Sequence, residues 1–180
     1  MKQIMVLNGS FRPHGFTDSL IRSFTAGAES RGHKVTVFQL RDMKIHPCLG
    51  CLHGGQNTLR PCTQSDDMDL IYHTYRKSQV IVFATPLFFW SYSGLLKIAM
   101  DRLWALAEGE KDELHGNQKT GVLLMAAGGA HPEPLLTHFD YLMKRMEWTN
   151  AGNVVLKHTD DLDMDHIPPN PDAFQLGASL

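Results

Sequence analysis

Short apolar runs alternate along the chain with longer stretches in which apolar residues return every three or four positions. The runs at residues 4–7, 35–40, 80–84, 120–127 and 152–157 have the length and composition of strands. Between the first two, Leu20, Ile21, Phe24 and Ala28 fall on one face of a helix that starts near Thr17 and stops at Arg31-Gly32-His33. Ser65-Asp66-Asp67-Met68 opens the next helix, with a hydroxyl cap and carboxylates in the first turn, where the macrodipole favours negative charge. On this pattern the two aspartates initiate a helix and do nothing more. Two further helices are expected over residues 93–106 and 134–146. Strands alternating with helices imply βαβ units, so the expected fold is α/β: a doubly wound five-stranded parallel sheet in a three-layer α/β/α sandwich. Residues 80–84 are apolar without interruption, as in a strand buried on both faces, whereas 35–40 alternate and belong nearer an edge. The segment 41–64 is long for a connection and is expected to carry a role or cover something. Pro168, Pro169 and Pro171 stand among polar residues, so residues 158–180 read as an irregular C-terminal tail behind a domain spanning 1–157.

Length and composition agree with one ordinary globular domain: 180 residues, 43% hydrophobic and 20% charged, with no repeat or low-complexity tract. Seventeen Lys plus Arg against nineteen Asp plus Glu give a net charge of −2. That balance, without basic blocks, offers no footprint for nucleic acid or an anionic membrane. No apolar run approaches the roughly 20 residues that span a bilayer. The first residues run into Asn8-Gly9-Ser10 without the cleavage region of a secretory signal. Three cysteines, an odd number, suit a reducing compartment better than a disulfide framework, so the expected location is cytoplasmic.

In a doubly wound sheet, ligands bind beyond the carboxyl ends of the strands, which directs attention to the loops after the first, third and fourth. The first, Asn8 to Thr17, sets Ser10, Arg12, Gly15 and Thr17 just before a helix N-terminus. Backbone N–H groups, the dipole, two hydroxyls and a guanidinium together suit a phosphate, and the alternative is a plain strand–helix turn. The loop is neither a spaced-glycine dinucleotide fingerprint nor a Walker loop. The second loop carries Pro86-Leu87-Phe88-Phe89-Trp90 and then Tyr92, aromatics that suit a flat apolar ligand or else a core or subunit-contact cluster. The third, with Gly128 and Gly129, is small enough for backbone to approach a planar ring. A terminal phosphate and a large flat ring describe FMN better than ATP or NAD.

The loop Gly9-Ser10-x-Arg12-x-x-Gly15-x-Thr17, the segment Thr85 to Trp90 with Ser93-Gly94-x-Leu96-Lys97, and Asp101-Arg102 resemble the NADPH-dependent FMN reductase and iron–sulfur flavoprotein family. The resemblance runs from Met1 to about Lys157 and implies a flavodoxin-like fold. It also implies FMN phosphate on Ser10, Arg12, Phe16 and Thr17, and the isoalloxazine against Pro86, Leu87, Phe88, Phe89 and Trp90 with Gly128 and Gly129. Phe16 replaces an Asn common in the family, so a side-chain donor is missing and only the backbone N–H can serve. The implied reaction moves hydride from NAD(P)H, the co-substrate, to FMN, and electrons then pass to a small acceptor such as a quinone or flavin. The cofactor carries the chemistry and no catalytic side chain is assigned; Phe88, Phe89, Trp90 and Tyr92 are expected to line the second substrate's slot. Members are usually homodimers or homotetramers with the flavin near a subunit contact. An electron carrier or redox sensor is the alternative, although carriers are expected to be strongly acidic and this chain has a pI near 6.5.

Cys48-Leu49-Gly50-Cys51 followed by Cys62 looks like the family's compact cluster motif with a ligand absent, because Gly54 stands where a third cysteine would fall. Three thiolates do not make a four-cysteine cluster site. A Cys₃His zinc site using His53 is the alternative, with tight spacing between Cys51 and His53. No metal is expected, and a Cys48/Cys51 redox pair has no support in the sequence.

Overall fold

A computed structural model describes residues 1–57, 59–116, 118–129 and 131–180. Five strands, β1 (Gln3–Asn8), β2 (Lys34–Gln39), β3 (Val80–Pro86), β4 (Thr120–Ala126) and β5 (Thr149–Leu156), form one all-parallel sheet in the order β2-β1-β3-β4-β5. Among the described residues five α-helices connect and cover it: α1 (Phe16–Ser30), α2 (Met68–Lys77), α3 (Gly94–Leu103), α4 (Glu133–Met146) and α5 (Pro171–Ala178). The doubly wound flavodoxin-like sandwich is therefore the fold, with the less continuously apolar β2 at one edge.

The two-residue period of the strands sorts their side chains into two cores. Ile4, Val6, Val82, Ala84, Val122 and Leu124 face α1 and α5, while Met5, Leu7, Ile81, Phe83, Leu123 and Met125 face α2, α3 and α4. A strand carrying apolar residues at both parities has to be covered on both sides, which is why β1, β3 and β4 occupy the middle.

The stretch after Lys157 is not an irregular tail. A turn over Thr159–Asp161 leads on to α5, which starts with Pro171 in its first turn behind Asn170, whose side chain accepts from the Ala173 N–H at 2.8 Å. Proline suits a first helical turn because that N–H has no partner within the helix. The helix then packs on α1 backbone to backbone. A Cβ on Gly27 would stand 2.0 Å from the Phe174 carbonyl oxygen, and one on Gly177 would stand 2.1 Å from that of Phe24. The prolines deliver α5 to its face of the sheet.

The start of α2 also departs from expectation. Neither Ser65 nor the N-cap Asp67 caps it by side chain; Asp66 Oδ1 accepts from the Met68 N–H at 3.1 Å, and Asp67 Oδ2 holds the Lys44 N–H at 2.7 Å. Asp66 is also one half of a buried ion pair with Arg102, its oxygens 2.7 and 3.1 Å from the two terminal guanidinium nitrogens. The aspartates tie the segment ahead of α2 to the rest of the molecule as well as starting the helix.

Candidate functional site

At the carboxyl ends of β1, β3 and β4, where the strand order reverses, lies a cavity of about 680 Å³, within the roughly 300–1,000 Å³ usual for small-molecule sites. Its wall includes every residue that the sequence pointed to for FMN: Ser10, Arg12, Phe16, Thr17, Pro86, Leu87, Phe88, Phe89, Trp90, Gly128 and Gly129. It also includes Phe11, Gly15, Ala126, His131, Thr159 and Asp160. Thr159 and Asp160 escaped sequence reading because they follow β5 in the supposed tail, which no strand–helix pattern pointed to.

The first wall is the β1–α1 loop. Gly15 is the N-cap of α1 and supplies no side-chain cap, so the first-turn N–H groups at Phe16 and Thr17 face the cavity unoccupied by a local acceptor. Phe16 is 8% exposed and its hydrocarbon ring carries no donor, so only its backbone N–H is on offer to a phosphate. Beneath the loop sits a polar network that sequence reading missed. Asn8 Nδ2 donates to Asp18 Oδ1 and Gln39 Oε1, each at 2.6 Å, and Asn8 Oδ1 accepts from the Ser10 N–H at 3.0 Å. Asp18 Oδ2 accepts from the His14 N–H at 2.8 Å, and Arg41 bridges Asp18, at 3.4 Å, to the Ser10 carbonyl at 3.3 Å. Asp18 and Arg41 neutralise each other here, so the loop is braced without spending Arg12. The Arg12 guanidinium instead contacts Met164 Sδ at 3.1 Å and has no carboxylate partner among the described residues.

The second wall follows β3. Thr85 Oγ1 accepts from the Ser93 N–H at 3.0 Å and donates to the Pro86 carbonyl at 2.7 Å. Ser93, the N-cap of α3, accepts from the Leu96 N–H at 3.3 Å and donates to the Gly9 carbonyl at 2.6 Å, which joins this wall to the first. Between them Phe88 and Ser91 exchange backbone hydrogen bonds at 3.2 and 2.9 Å, closing a tight turn over Phe89 and Trp90. Both central residues have positive φ, 49° and 56°, the geometry that Asn-Gly usually takes. Each such non-glycine residue costs on the order of 1–3 kcal/mol, and backbone strain of this kind gathers at ligand clamps. Phe88, Phe89 and Trp90 are exposed at the rim. Tyr92 is not among them: it is 4% exposed and packs in the core against Phe83 and His138, so the slot has three aromatics where the sequence suggested four.

The third wall is bonded to its neighbours through backbone. The Leu87 N–H donates to the Ala126 carbonyl at 2.8 Å, the Ala127 N–H to that of Leu156 at 2.8 Å, and the Thr159 N–H to that of Ala127 at 3.0 Å. A Cβ on Gly128 would strike the Asp160 carboxylate at 2.3 Å, while one on Gly129 would enter open space. A phosphate-sized set of backbone donors with an uncommitted guanidinium at one end, and bare glycine backbone facing an aromatic turn at the other, fits FMN.

Comparison with known proteins agrees. A family model described as NADPH-dependent FMN reductase matches residues 2–156. An iron–sulfur flavoprotein of Archaeoglobus fulgidus is 26% identical over 155 residues, covering 86% of this chain and 68% of that protein. The Bacillus subtilis protein YwqN, named as an NAD(P)H-dependent FMN-containing oxidoreductase, is 28% identical over 160 residues, or 85% of this chain and 83% of its own. Among solved structures, RosB with bound 8-demethyl-8-formylriboflavin-5'-phosphate superposes with a TM-score of 0.74 at 16% identity, over 99% of this chain and 77% of that one.

Proposed function

The chain belongs to the NADPH-dependent FMN reductase family, and from that premise we propose that FMN occupies the cavity at the β1/β3 switch point and passes electrons there to a small organic acceptor such as a quinone or a free flavin. The protein is an FMN-dependent NAD(P)H oxidoreductase. The observation that carries the placement is the convergence of all three predicted loops on one cavity whose two ends differ in chemistry. When bound, FMN supplies a ring that accepts hydride from the nicotinamide and gives electrons up again. The chain's own residues bind and orient. Arg12 and the N–H groups of Phe16 and Thr17 take the phosphate, with Ser10 and Thr17 hydroxyls beside them. Gly128 and Gly129 let backbone lie against the ring, and Phe88, Phe89 and Trp90 exclude water from the face where the two substrates alternate. No side chain has to move a proton.

Purified protein is expected to be yellow, to release FMN on denaturation, and to oxidise NADPH or NADH in the presence of a quinone, an azo compound or free FMN. Protein that stays colourless and inert towards both nucleotides after reconstitution with FMN would contradict the assignment. Bound FMN without nicotinamide turnover would instead indicate an electron carrier.

The exposed rim aromatics also favour a homodimer or homotetramer, because monomers rarely leave such a patch uncovered. Sedimentation at micromolar concentration is expected to find no monomer; a monomer with FMN bound would assign the aromatics to an open acceptor slot. No described helix is long and apolar enough to cross a membrane, and we place the enzyme in the cytoplasm on its free cysteines.

A further inference from the structure

The described residues between β2 and α2 add nothing to the wall of the flavin cavity. They instead bring all three cysteines to a second, much smaller one. Cys48, Cys51 and Cys62 line a void of about 60 Å³ against Arg102 and Trp104 at the far end of α3. All three are free thiols. A fourth thiolate has no room at the position where the cluster motif would put one: Gly54 donates its N–H to Glu108 Oε2 at 2.6 Å, and a Cβ on it would stand 2.3 Å from that oxygen and 2.9 Å from the Ala105 Cα. His53 turns its ring onto the Cys51 carbonyl. Among the described residues no group of three or more His, Cys, Asp or Glu is arranged to hold a metal ion.

Arg102 is what distinguishes this void from a packing gap. Its side chain has no solvent exposure, and its terminal nitrogens are engaged by Asp66 and by the His46 carbonyl at 2.8 Å. Its Nε is buried with no hydrogen-bond partner among the described residues, and the residue lines the void. A buried guanidinium N–H left without an acceptor costs about 1–3 kcal/mol, so an anionic group beside Arg102 would be stabilised. Half-buried Cys62 lies near enough to Arg102 and to the Tyr72 hydroxyl to interact with both. Cys51 is exposed on a turn whose flanking residues, Gly50 and Leu52, both have positive φ, and its Sγ is 3.6 Å from the hydroxyl of Thr63, the residue after Cys62. That hydroxyl and the His53 N–H bring the Cys51 thiol below its ordinary range, which favours the nucleophilic thiolate. Cys48 is held in its own turn, its Sγ 3.4 Å from the Gly50 N–H.

We propose that Cys51 and Cys62 form a thiol–disulfide exchange pair, in which Cys51 attacks a small disulfide from solvent and Cys62 resolves the product beside Arg102. The Cys51 thiolate forms a bond to one sulfur of the incoming disulfide, whose S–S bond breaks and expels one thiolate. Cys62, as thiolate, then attacks Cys51 Sγ and expels the second. Two cysteine thiols are oxidised to one disulfide, the small disulfide is reduced to two thiols, and the two protons pass to the two leaving thiolates. The void is too small to admit the oxidant, so the first step occurs at the exposed face of Cys51 and only the second inside.

The test uses the FMN-loaded full chain and oxidised glutathione as the disulfide. Free thiols titrated with a chromogenic disulfide are expected to fall from three per chain to one, and peptide mapping after alkylation should find a Cys51–Cys62 bridge. Cys62→Ser should stop at one glutathione per chain, attached to Cys51, and in Cys51→Ser the remaining thiols should react at least about tenfold more slowly. Wild-type FMN content in both variants confirms that they are folded. A Cys48–Cys51 bridge, three thiols that persist, or stoichiometric iron or zinc that disappears in Cys51→Ser would each overturn the proposal.

Discussion

Replacing Asp66 with alanine is expected to lower the unfolding free energy by about 3–5 kcal/mol, the usual loss when one partner of a buried ion pair is removed and the other charge is left behind. The magnitude follows from what the carboxylate holds. It pairs with Arg102 through both oxygens, the two side chains being 2% and 0% exposed, and it also accepts from the His46 and Met68 N–H groups at 3.0 and 3.1 Å. The same group fixes a pH window. Burial by itself would raise the Asp66 carboxyl, but hydrogen bonds from Arg102, His46 and Met68 outweigh it and hold the pKa at about 2, against an ordinary value of 3.8. A depressed carboxyl stabilises the fold fully above the unfolded value and ceases to do so as pH falls through the folded one. Urea unfolding at successive pH values should therefore show wild-type stability declining from pH 3.8 toward 2, with that part of the slope missing in Asp66→Asn. The double variant Asp66→Leu/Arg102→Met should recover much of the loss, since a packed apolar pair replaces a buried ionic one. It should not recover all of it, because Arg102 also holds the His46 carbonyl. A loss below about 1 kcal/mol in Asp66→Ala would mean that the pair is no stronger than a surface contact.

That pair illustrates which parts of the molecule are legible in the sequence. Local periodicity placed the five strands and four of the helices, because each element carries its own burial pattern. The three site loops could be found because the fold class itself says where ligands bind. Asp66 has a local role, at the start of α2, and a distant one 36 residues away at Arg102, and only the first leaves a trace in spacing. The brace under the phosphate loop is hidden for the same reason: Asn8, Asp18 and Arg41 lie on different elements, and none is periodic with another. The α5 helix was hidden by its prolines, although Asn170-Pro171 is a start signal and Gly27 and Gly177 are the small residues that a close helix crossing needs. Trp90 and Tyr92 share a parity, so alternation puts both on one face, and it is the turn over Phe89 and Trp90 that leaves Trp90 at the rim and Tyr92 in the core.

The brace also separates two arginines that look interchangeable in the sequence, and that separation sets the second expectation. Arg41 is committed to Asp18, so its charge is neutralised inside the protein and it acts on the shape of the loop. Arg12 lines the cavity, rests its guanidinium on the Met164 thioether, and has no carboxylate partner among the described residues. A charge-assisted hydrogen bond from it to a phosphate is worth about 1.5–3 kcal/mol, so Arg12→Ala is expected to weaken FMN binding about 10- to 150-fold. Arg12→Lys should fall between the two, keeping the charge but losing the planar fork. Riboflavin, which has the ring without the phosphate, isolates the cause. Its dissociation constant should be unchanged in Arg12→Ala if the guanidinium meets the phosphate, and should rise in parallel with that of FMN if the substitution merely loosens the cavity. Fluorescence quenching titrations of the apoprotein with both flavins read this directly, and raising the salt concentration should weaken FMN more in the wild type than in the variant, because a partly exposed phosphate contact is screened. Equal FMN affinity in wild type and Arg12→Ala would place the phosphate elsewhere and leave the uncapped N-terminus of α1 without its ligand.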